Sequence, residues 1–178
     1  KRRVLINYRA DPKVVQKVLP NGFRPKLHNG YAIAGICLIK LEHIRPKNLP
    51  EFIGLSSENA AHRIAVEWDE HGETKEGVFV PRRDTDSFLN HLAGGSLFPS
   101  EHHKATFNIV ENKNKIDYLM KSNDGVASVQ FNGKLTNEFP SDSIFNSLQN
   151  ASDFFENGCS PQIGVCGKYC EQGLSRKL

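Results

Sequence analysis

The segment Gly94-Gly95-Ser96-Leu97-Phe98-Pro99-Ser100-Glu101-His102-His103-Lys104 is the most informative stretch of this sequence. It begins with a Gly-Gly pair, typical of a helix end, and continues through an apolar pair and Pro99 into a dense polar cluster. The segment Asn7-Tyr8-Arg9-Ala10-Asp11 is the second informative stretch, because a short strand there meets the start of a helix. The two segments indicate the fold, and the polar cluster indicates where a functional site is expected.

The composition is that of an ordinary soluble globular protein. The chain has 178 residues, of which 38% are hydrophobic and 24% are charged, and this length suits one domain. The net charge of +3 arises from 23 basic and 20 acidic residues without a long basic block, so we expect no nucleic-acid partner. The longest apolar run, residues 31–39, is too short to cross a bilayer, and no signal peptide is visible. We therefore expect a cytoplasmic protein without a membrane partner.

Four cysteines are present, and their positions do not predict a metal site. Cys37 lies inside an apolar run, as expected of a buried small hydrophobic residue. Cys159, Cys166 and Cys170 have no histidine nearby, and their spacing is unlike that of zinc ligands, so their role stays open. The sequence also lacks a phosphate-binding loop, a dinucleotide fingerprint and a nucleophile elbow. We expect neither a bound metal nor a cofactor.

Hydrophobic periodicity predicts many strands and few helices. Helices are expected after Asp11-Pro12, after Asp84-Thr85-Asp86 and over residues 143–156. The element order predicts an α+β fold whose mostly antiparallel strands form a barrel or a strongly curved sheet. No repeat or linker divides residues 1–178, so one domain is expected, with an irregular tail over residues 159–178. The predicted strands are residues 4–8, 31–41, 63–69, 77–80, 102–111, 116–121 and 126–136.

Several of these segments resemble the acetoacetate decarboxylase-like superfamily. Tyr8-Arg9-Ala10-Asp11 and the helix after it are similar to the family's first segments. Ser57-Glu58-Asn59-Ala60 stands where the family carries a cavity glutamate, and residues 77–94 resemble the segment before the family's catalytic lysine. The resemblance covers residues 5–135 most clearly and is closest to a branch of uncharacterised bacterial proteins. It implies a barrel with a cavity for a small organic acid or carbonyl compound.

One departure from the family changes the expected chemistry. In the family, a Phe/Tyr-Pro pair is followed directly by the lysine that forms a Schiff base with the substrate. Here Ser100 follows Phe98-Pro99, and Lys104 lies five residues beyond Pro99. The strand around Gly35 also lacks the acidic residue that the family places there. The resemblance therefore implies the fold without Schiff-base chemistry.

Polar residues near these motifs are the candidate catalytic groups. Glu58, in a predicted polar loop, could serve as acid or base if it faces an apolar barrel mouth, or it could cap the next segment. His102 and His103 begin a strand, so at most one of them faces the cavity, where it could act as a general base. Both could instead lie at the rim. No ligand spacing among these residues supports a metal site.

A second group of residues could bind the substrate. Arg82 and Arg83 are neighbours on a strand, so one could form a forked clamp on a carboxylate. The other would lie on the surface or pair with a nearby aspartate. Tyr8 and Arg9 at the end of the first strand could line the cavity, or the tyrosine could pack in the core, and Asn59 stands beside the candidate glutamate.

The sequence leaves three hypotheses about function open. The leading hypothesis is a protein that binds a small organic acid or carbonyl compound in a barrel cavity without Schiff-base decarboxylase chemistry. The alternative is a lysine-independent acid–base enzyme of lyase or hydratase type on the same fold. The third is an interaction protein with a side-chain-filled barrel. Exposed sheet edges would allow a homo-oligomer, although the sequence shows no interface.

Overall fold

The computed structural model describes residues 2–44, 54–87 and 101–156, and these ranges contain nine strands and two helices. The helices are α1 (Pro12–Gln16) and α2 (Leu148–Glu156). The strands are β1 (Arg2–Ala10), β2 (Arg24–Pro25), β3 (Leu27–His28), β4 (Tyr31–Ile44), β5 (Leu55–Glu70), β6 (Glu73–Thr85), β7 (Glu101–Asn112), β8 (Lys115–Ser122) and β9 (Ser128–Lys134).

The strands form one continuous path in the order β1-β4-β5-β6-β7-β8-β9, with β2 paired to β5 and β3 paired to β4. Every pairing is antiparallel except that of β6 with β7, which is parallel. The sheet curls strongly into a half-barrel, which confirms the predicted α+β class with mostly antiparallel strands. The single-domain prediction for residues 1–178 stays a prediction, and the tail 159–178 lies outside the described residues.

The close approach of β1 to β4 depends on a glycine. The two strands pair over nine consecutive positions, with Asn7 opposite Gly35. A Cβ atom on Gly35 would lie 2.1 Å from the carbonyl oxygen of Ile6 and 3.0 Å from the side-chain oxygen of Asn7. Only glycine therefore allows β1 to lie this close to β4 at the position of Asn7.

Alternation of side chains gives the sheet two faces with different covers. On the first face, Ile36 and Leu38 form a core cluster with Tyr118 and Met120 of β8, so we call it the meander face. On the second, Ile33 and Ala65 cluster with aromatic residues of α2 and the segment before it, so we call it the helix face. Burial of apolar side chains on both faces fixes the register, since a slip of one residue would exchange them.

The first helix confirms a sequence prediction in part. Asp11 is its N-cap, and the carboxylate accepts a hydrogen bond from the backbone N–H of Lys13 at 2.8 Å. The helix is only five residues long, and Val15 is buried while Val14 and Val18 are exposed. The helix therefore contributes a single buried residue to the core.

The last helix begins later than predicted, at Leu148 rather than at residue 143. The hydroxyl of Ser147 accepts the backbone N–H of Asn150 at 3.1 Å, as an N-cap does, and so fixes the start. Ser143 caps a separate turn by accepting the N–H of Phe145 at 3.2 Å. Phe145 is buried all the same, because it packs against Phe154 of the helix.

Two local sequence predictions were wrong. Residues 56–59 are not a loop but part of β5, where Glu58 lies opposite Lys40 of β4. Asp84 does not cap a helix but continues β6 with Thr85, because Asp84 pairs with Ala60 of β5. Tertiary strand pairing outweighs the local preference of aspartate and threonine for caps. The helix predicted after them, with the segment 94–100, lies outside the described residues.

Candidate functional site

A cavity of about 990 Å³ opens on the helix face, between the strands β1, β4 and β5 and the segment that leads into α2. Its walls combine aromatic and aliphatic side chains with a few polar groups, as small-molecule sites generally do. The lining residues are Arg3, Leu5, Asn7, Tyr8, Arg9, Ile33, Arg63, Phe139, Pro140, Asp142, Ser143, Ile144, Phe145, Leu148, Ala151, Ser152 and Phe155.

Arg63 is a buried polar residue of this cavity. It is 5% exposed, and its guanidinium donates a hydrogen bond to the side-chain oxygen of Asn7 at 3.2 Å. The same guanidinium lies over the ring of Phe155, 5.4 Å from the centroid. Asn7 reaches this position because Gly35 leaves space beside it. These contacts hold a positive charge beside an apolar wall.

Two more arginines from β1 stand around the cavity. Arg3 donates through Nε to the thiol of Cys37 at 3.3 Å, and Arg9 lies over the ring of Tyr31 at 5.8 Å. Among the lining residues that the structure describes, three are thus cationic and Asp142 alone is acidic. A guanidinium presents paired N–H donors that match a carboxylate, so this lining favours an anionic ligand.

A second polar cluster lies on the meander face, where His62 and Arg82 contact Asp84. The Nε2 atom of His62 lies 2.8 Å from Oδ2 of Asp84, which is fully buried. Arg82 donates to both oxygens of Asp84, at 3.0 Å through Nε and at 2.6 Å through Nη2. It also forms a two-bond pair with Asp124, which contacts Nδ1 of His103 at 3.0 Å. The cluster links β5, β6, β7 and the turn after β8.

The ionisation of the two aspartates follows from these contacts. Burial raises the pKa of Asp84, but hydrogen bonds from His62 and Arg82 outweigh it and hold the pKa below its usual value. Hydrogen bonds from Arg82 and from the hydroxyl of Ser122 lower the pKa of Asp124. Both carboxylates therefore remain charged in the folded protein, and the pKa of Arg82 is correspondingly raised.

Glu58 belongs to a third cluster, farther along the meander face. Its carboxylate accepts a hydrogen bond from Arg2 at 2.6 Å, and Arg2 also pairs with Glu111 at 2.9 Å. Burial raises the pKa of Glu58, and the charge of Arg2 offsets this only in part. Arg2 also lies over the ring of Tyr118, a residue that is 2% exposed. The result is a half-buried ion pair on an apolar core.

The residues predicted from sequence fall on both faces of the sheet. Parallel pairing places His103 beside Asp84 and His102 beside Arg83. Consequently Glu58, Arg82 and His103 point to the meander face, whereas Asn59, Arg83 and His102 belong to the opposite face. Of the predicted site residues, all of which lie in the described ranges, Tyr8 lines the cavity, and so does its neighbour Arg9.

Arg3, Asn7 and Arg63, which line the cavity with Arg9 and Tyr8, were not predicted from the sequence as site residues. A signal for them was present. Three of the four odd positions of β1, which are Arg3, Asn7 and Arg9, are polar, and Arg63 precedes an apolar residue in the alternation of β5. Such a pattern indicates a polar face, but it is equally typical of a solvated one.

Comparison with known proteins places the chain in a family. A family model described as an uncharacterized conserved protein, DUF2071, matches residues 1–155. The chain is a member of DUF2071. No curated protein matches its sequence.

Solved structures similar to this DUF2071 chain share its fold. Acetoacetate decarboxylase from Legionella pneumophila aligns with a TM-score of 0.50 at 13% identity, over 78% of this chain and 49% of that one. MppR, an enduracididine biosynthesis enzyme complexed with pyruvate, aligns with a TM-score of 0.51 at 15% identity, over 78% of this chain and 58% of its own. The DUF2071 chain thus has the acetoacetate decarboxylase-like fold and spans about half the length of these proteins.

The described part of the DUF2071 chain shows neither a membrane helix nor a metal cluster. Within residues 2–44, 54–87 and 101–156, no helix is long and apolar enough to span a membrane. In the same ranges, no three histidine, cysteine, aspartate or glutamate side chains are grouped so that they could hold a metal ion.

Proposed function

We propose that this protein binds a small organic acid or carbonyl compound in the cavity on the helix face, without Schiff-base chemistry. The observation that carries the proposal is Arg63, a buried arginine held by Asn7 beside the cavity. A buried guanidinium next to an apolar wall favours a ligand that brings its own negative charge. The exposed Arg3 and Arg9 would draw such a ligand toward the opening.

The fold supports the proposal as an analogy. MppR, which has a similar fold, is described in complex with pyruvate and with the condensation product of pyruvate and imidazole 4-carboxaldehyde. Those ligands belong to that protein, and identity of 15% transfers the fold alone. The position after Phe98-Pro99, which is serine here, supports the part of the proposal that excludes a Schiff base.

Binding is tested by calorimetric titration of the protein with a panel of carboxylates and their neutral methyl esters. We expect the acids to bind and the esters to bind far more weakly. Arg63→Gln should weaken acid binding by at least about tenfold, since a charged hydrogen bond contributes roughly 1.5–3 kcal/mol. Arg24→Gln is the matched control, because Arg24 pairs with Asp69 outside the cavity. Equal binding of acids and esters would contradict the proposal.

Should Arg63→Gln not fold, Arg9→Gln offers a second variant, because Arg9 is exposed and lines the same cavity. Covalent chemistry is tested separately by borohydride reduction with pyruvate, followed by intact-mass measurement. We expect no adduct. An adduct at Lys104 would show that a relocated lysine forms a Schiff base.

One observation favours the alternative, a lysine-independent acid–base enzyme. His62 and His103 each contact a carboxylate, and such a partner orients a histidine for proton transfer. These groups point to the meander face, however, whereas the cavity opens on the helix face. We therefore place binding first. A bell-shaped pH profile of turnover that collapses in Glu58→Gln would reverse this order.

A further inference from the structure

We propose that the ligand of the helix-face cavity is a carboxylate with a large apolar body, on the order of six to ten carbons or an aryl group. This inference rests on the proposed function and names the class of acid that the cavity would take. The volume and the apolar wall of the cavity support it, whereas Arg63 and its neighbours support the proposed function.

The volume of the cavity favours a ligand of this size. The cavity measures about 990 Å³, at the upper end of the range of roughly 300–1,000 Å³ that holds a drug-sized ligand. A three-carbon acid would leave most of that space to water. A ligand that excludes water from the apolar wall gains binding free energy in proportion to the area it covers.

Most of the large apolar groups of the wall come from outside the sheet. The segment before α2 and the helix itself contribute Phe139, Ile144, Phe145, Leu148 and Phe155. The same segment and helix also contribute Asp142, Ser143 and Ser152 to the lining, but no lysine or arginine from their described part. An apolar body that extends from the arginines toward α2 would cover the five apolar residues.

Among the described lining residues, the cationic groups all come from the strands. Arg3, Asn7 and Arg9 come from β1, and Arg63 comes from β5. The cavity is therefore amphipathic, with cationic groups on the sheet and an apolar wall on the helix. A ligand with a carboxylate head and an apolar tail matches this arrangement, because its head would contact the cationic groups and its tail the apolar wall.

Leu148 allows this idea to be tested without disturbing the core. It lines the cavity, yet 69% of its surface is exposed, so a polar substitution there should not unfold the protein. Leu135 is a matched control, since it is 74% exposed and does not line the cavity. Leu148→Glu places a carboxylate on the apolar wall, and Leu135→Glu adds the same charge elsewhere.

The experiment is calorimetric titration with acetate, pyruvate, butanoate, hexanoate, octanoate and 3-phenylpropanoate, with 1-octanol as the uncharged control. We expect affinity to rise about fourfold per added methylene, the equivalent of about 0.8 kcal/mol, up to octanoate. Leu148→Glu should weaken the binding of octanoate and phenylpropanoate at least about tenfold and that of acetate and pyruvate much less. Leu135→Glu should change none of these affinities.

The outcomes separate the two proposals. If acetate or pyruvate binds as tightly as octanoate, the apolar-body inference is wrong and the proposed function stands. If 1-octanol binds as tightly as octanoate, the inference that the ligand binds through a carboxylate is wrong. If no carboxylate binds at all, the organic-acid part of the proposed function fails and the inference fails with it.

Discussion

Arg82 and Asp84, two positions apart on β6, form a two-point ion pair with Nη2–Oδ1 at 2.6 Å and Nε–Oδ2 at 3.0 Å. Both side chains point to the meander face because residues two apart on a strand share a face. Asp84 is fully buried, and its second partner is His62 at 2.8 Å. The pair therefore anchors the parallel junction of β6 and β7, where His103 lies beside Asp84.

Asp84→Asn should destabilise the protein strongly. The substitution keeps the shape of the side chain but leaves the charge of Arg82 without its buried partner, and breaking a buried pair in this way costs roughly 3–5 kcal/mol. We expect a loss of about 3 kcal/mol in the free energy of unfolding by urea, at the lower end of that range, because Asp124 still pairs with Arg82. Asp69→Asn, in an exposed pair with Arg24, is the control and should change stability little. Equal effects of the two variants would disprove the anchoring role.

The contribution of Asp84 should depend on pH. Its pKa is lowered in the folded state, so the unfolded chain binds the proton more readily and stability from this group rises with pH. The contribution is complete above the unfolded pKa of about 4 and is lost as pH falls below it. The stability difference between the wild type and Asp84→Asn should therefore be present at neutral pH and shrink below pH of about 4.

Comparing the two proteins also cancels the effect of other carboxyl groups whose contributions to stability change with pH in the opposite direction. Burial raises the pKa of Glu58 and of Asp86, so their contributions are present at low pH and decrease as the pH rises through their folded pKa. Both groups are the same in the two proteins. A difference in urea midpoints that grew as the pH fell below about 4 would contradict the lowered pKa of Asp84.

Gly35→Ala should separate β1 from β4. The added Cβ would lie 2.1 Å from the carbonyl oxygen of Ile6, a backbone atom that cannot move alone. We expect a loss of at least about 3 kcal/mol in urea unfolding, at or above the upper end of the roughly 1–3 kcal/mol typical of overpacking. Gly133→Ala is the control, since its nearest contact is the side-chain methyl of Ile116 at 3.0 Å. A similar cost at both positions would mean that the β1–β4 contact adapts.

Glu58→Gln should leave ligand binding unchanged, whereas Arg63→Gln weakens it. Glu58 pairs with Arg2 on the meander face, and the cavity opens on the helix face. Substitutions at separate sites affect each other by only about 0.3–0.5 kcal/mol, which is about a twofold change in affinity. Calorimetry with octanoate measures both variants. A tenfold loss of octanoate affinity in Glu58→Gln, well above that roughly twofold limit, would show that this glutamate belongs to the site, as the sequence resemblance suggested.

Strands in which apolar and polar residues alternate regularly were predictable from sequence, and so was the fold class. The predicted strands 63–69 and 77–80 belong to β5 and β6, which a two-residue turn at His71-Gly72 joins. Both turn residues have positive φ, at 53° and 81°, as such a turn between antiparallel strands requires. Ile64, Val66 and Trp68 pack in one cluster, as their alternation predicted. The error at Asp84 arose because cap-forming residues can also sit in a strand when a partner strand is available.

By itself the sequence determined the α+β class, the strand alternation, the cap at Asp11 and the resemblance to the acetoacetate decarboxylase-like fold. It also determined that His102 and His103 point to opposite faces, since period two is a local property. Only the tertiary structure decided which face bears the cavity and that Arg63, Asn7 and Phe155 meet there. The physical reason is that β1, β5 and α2 lie far apart along the chain, and strand pairing rather than local preference brings them together.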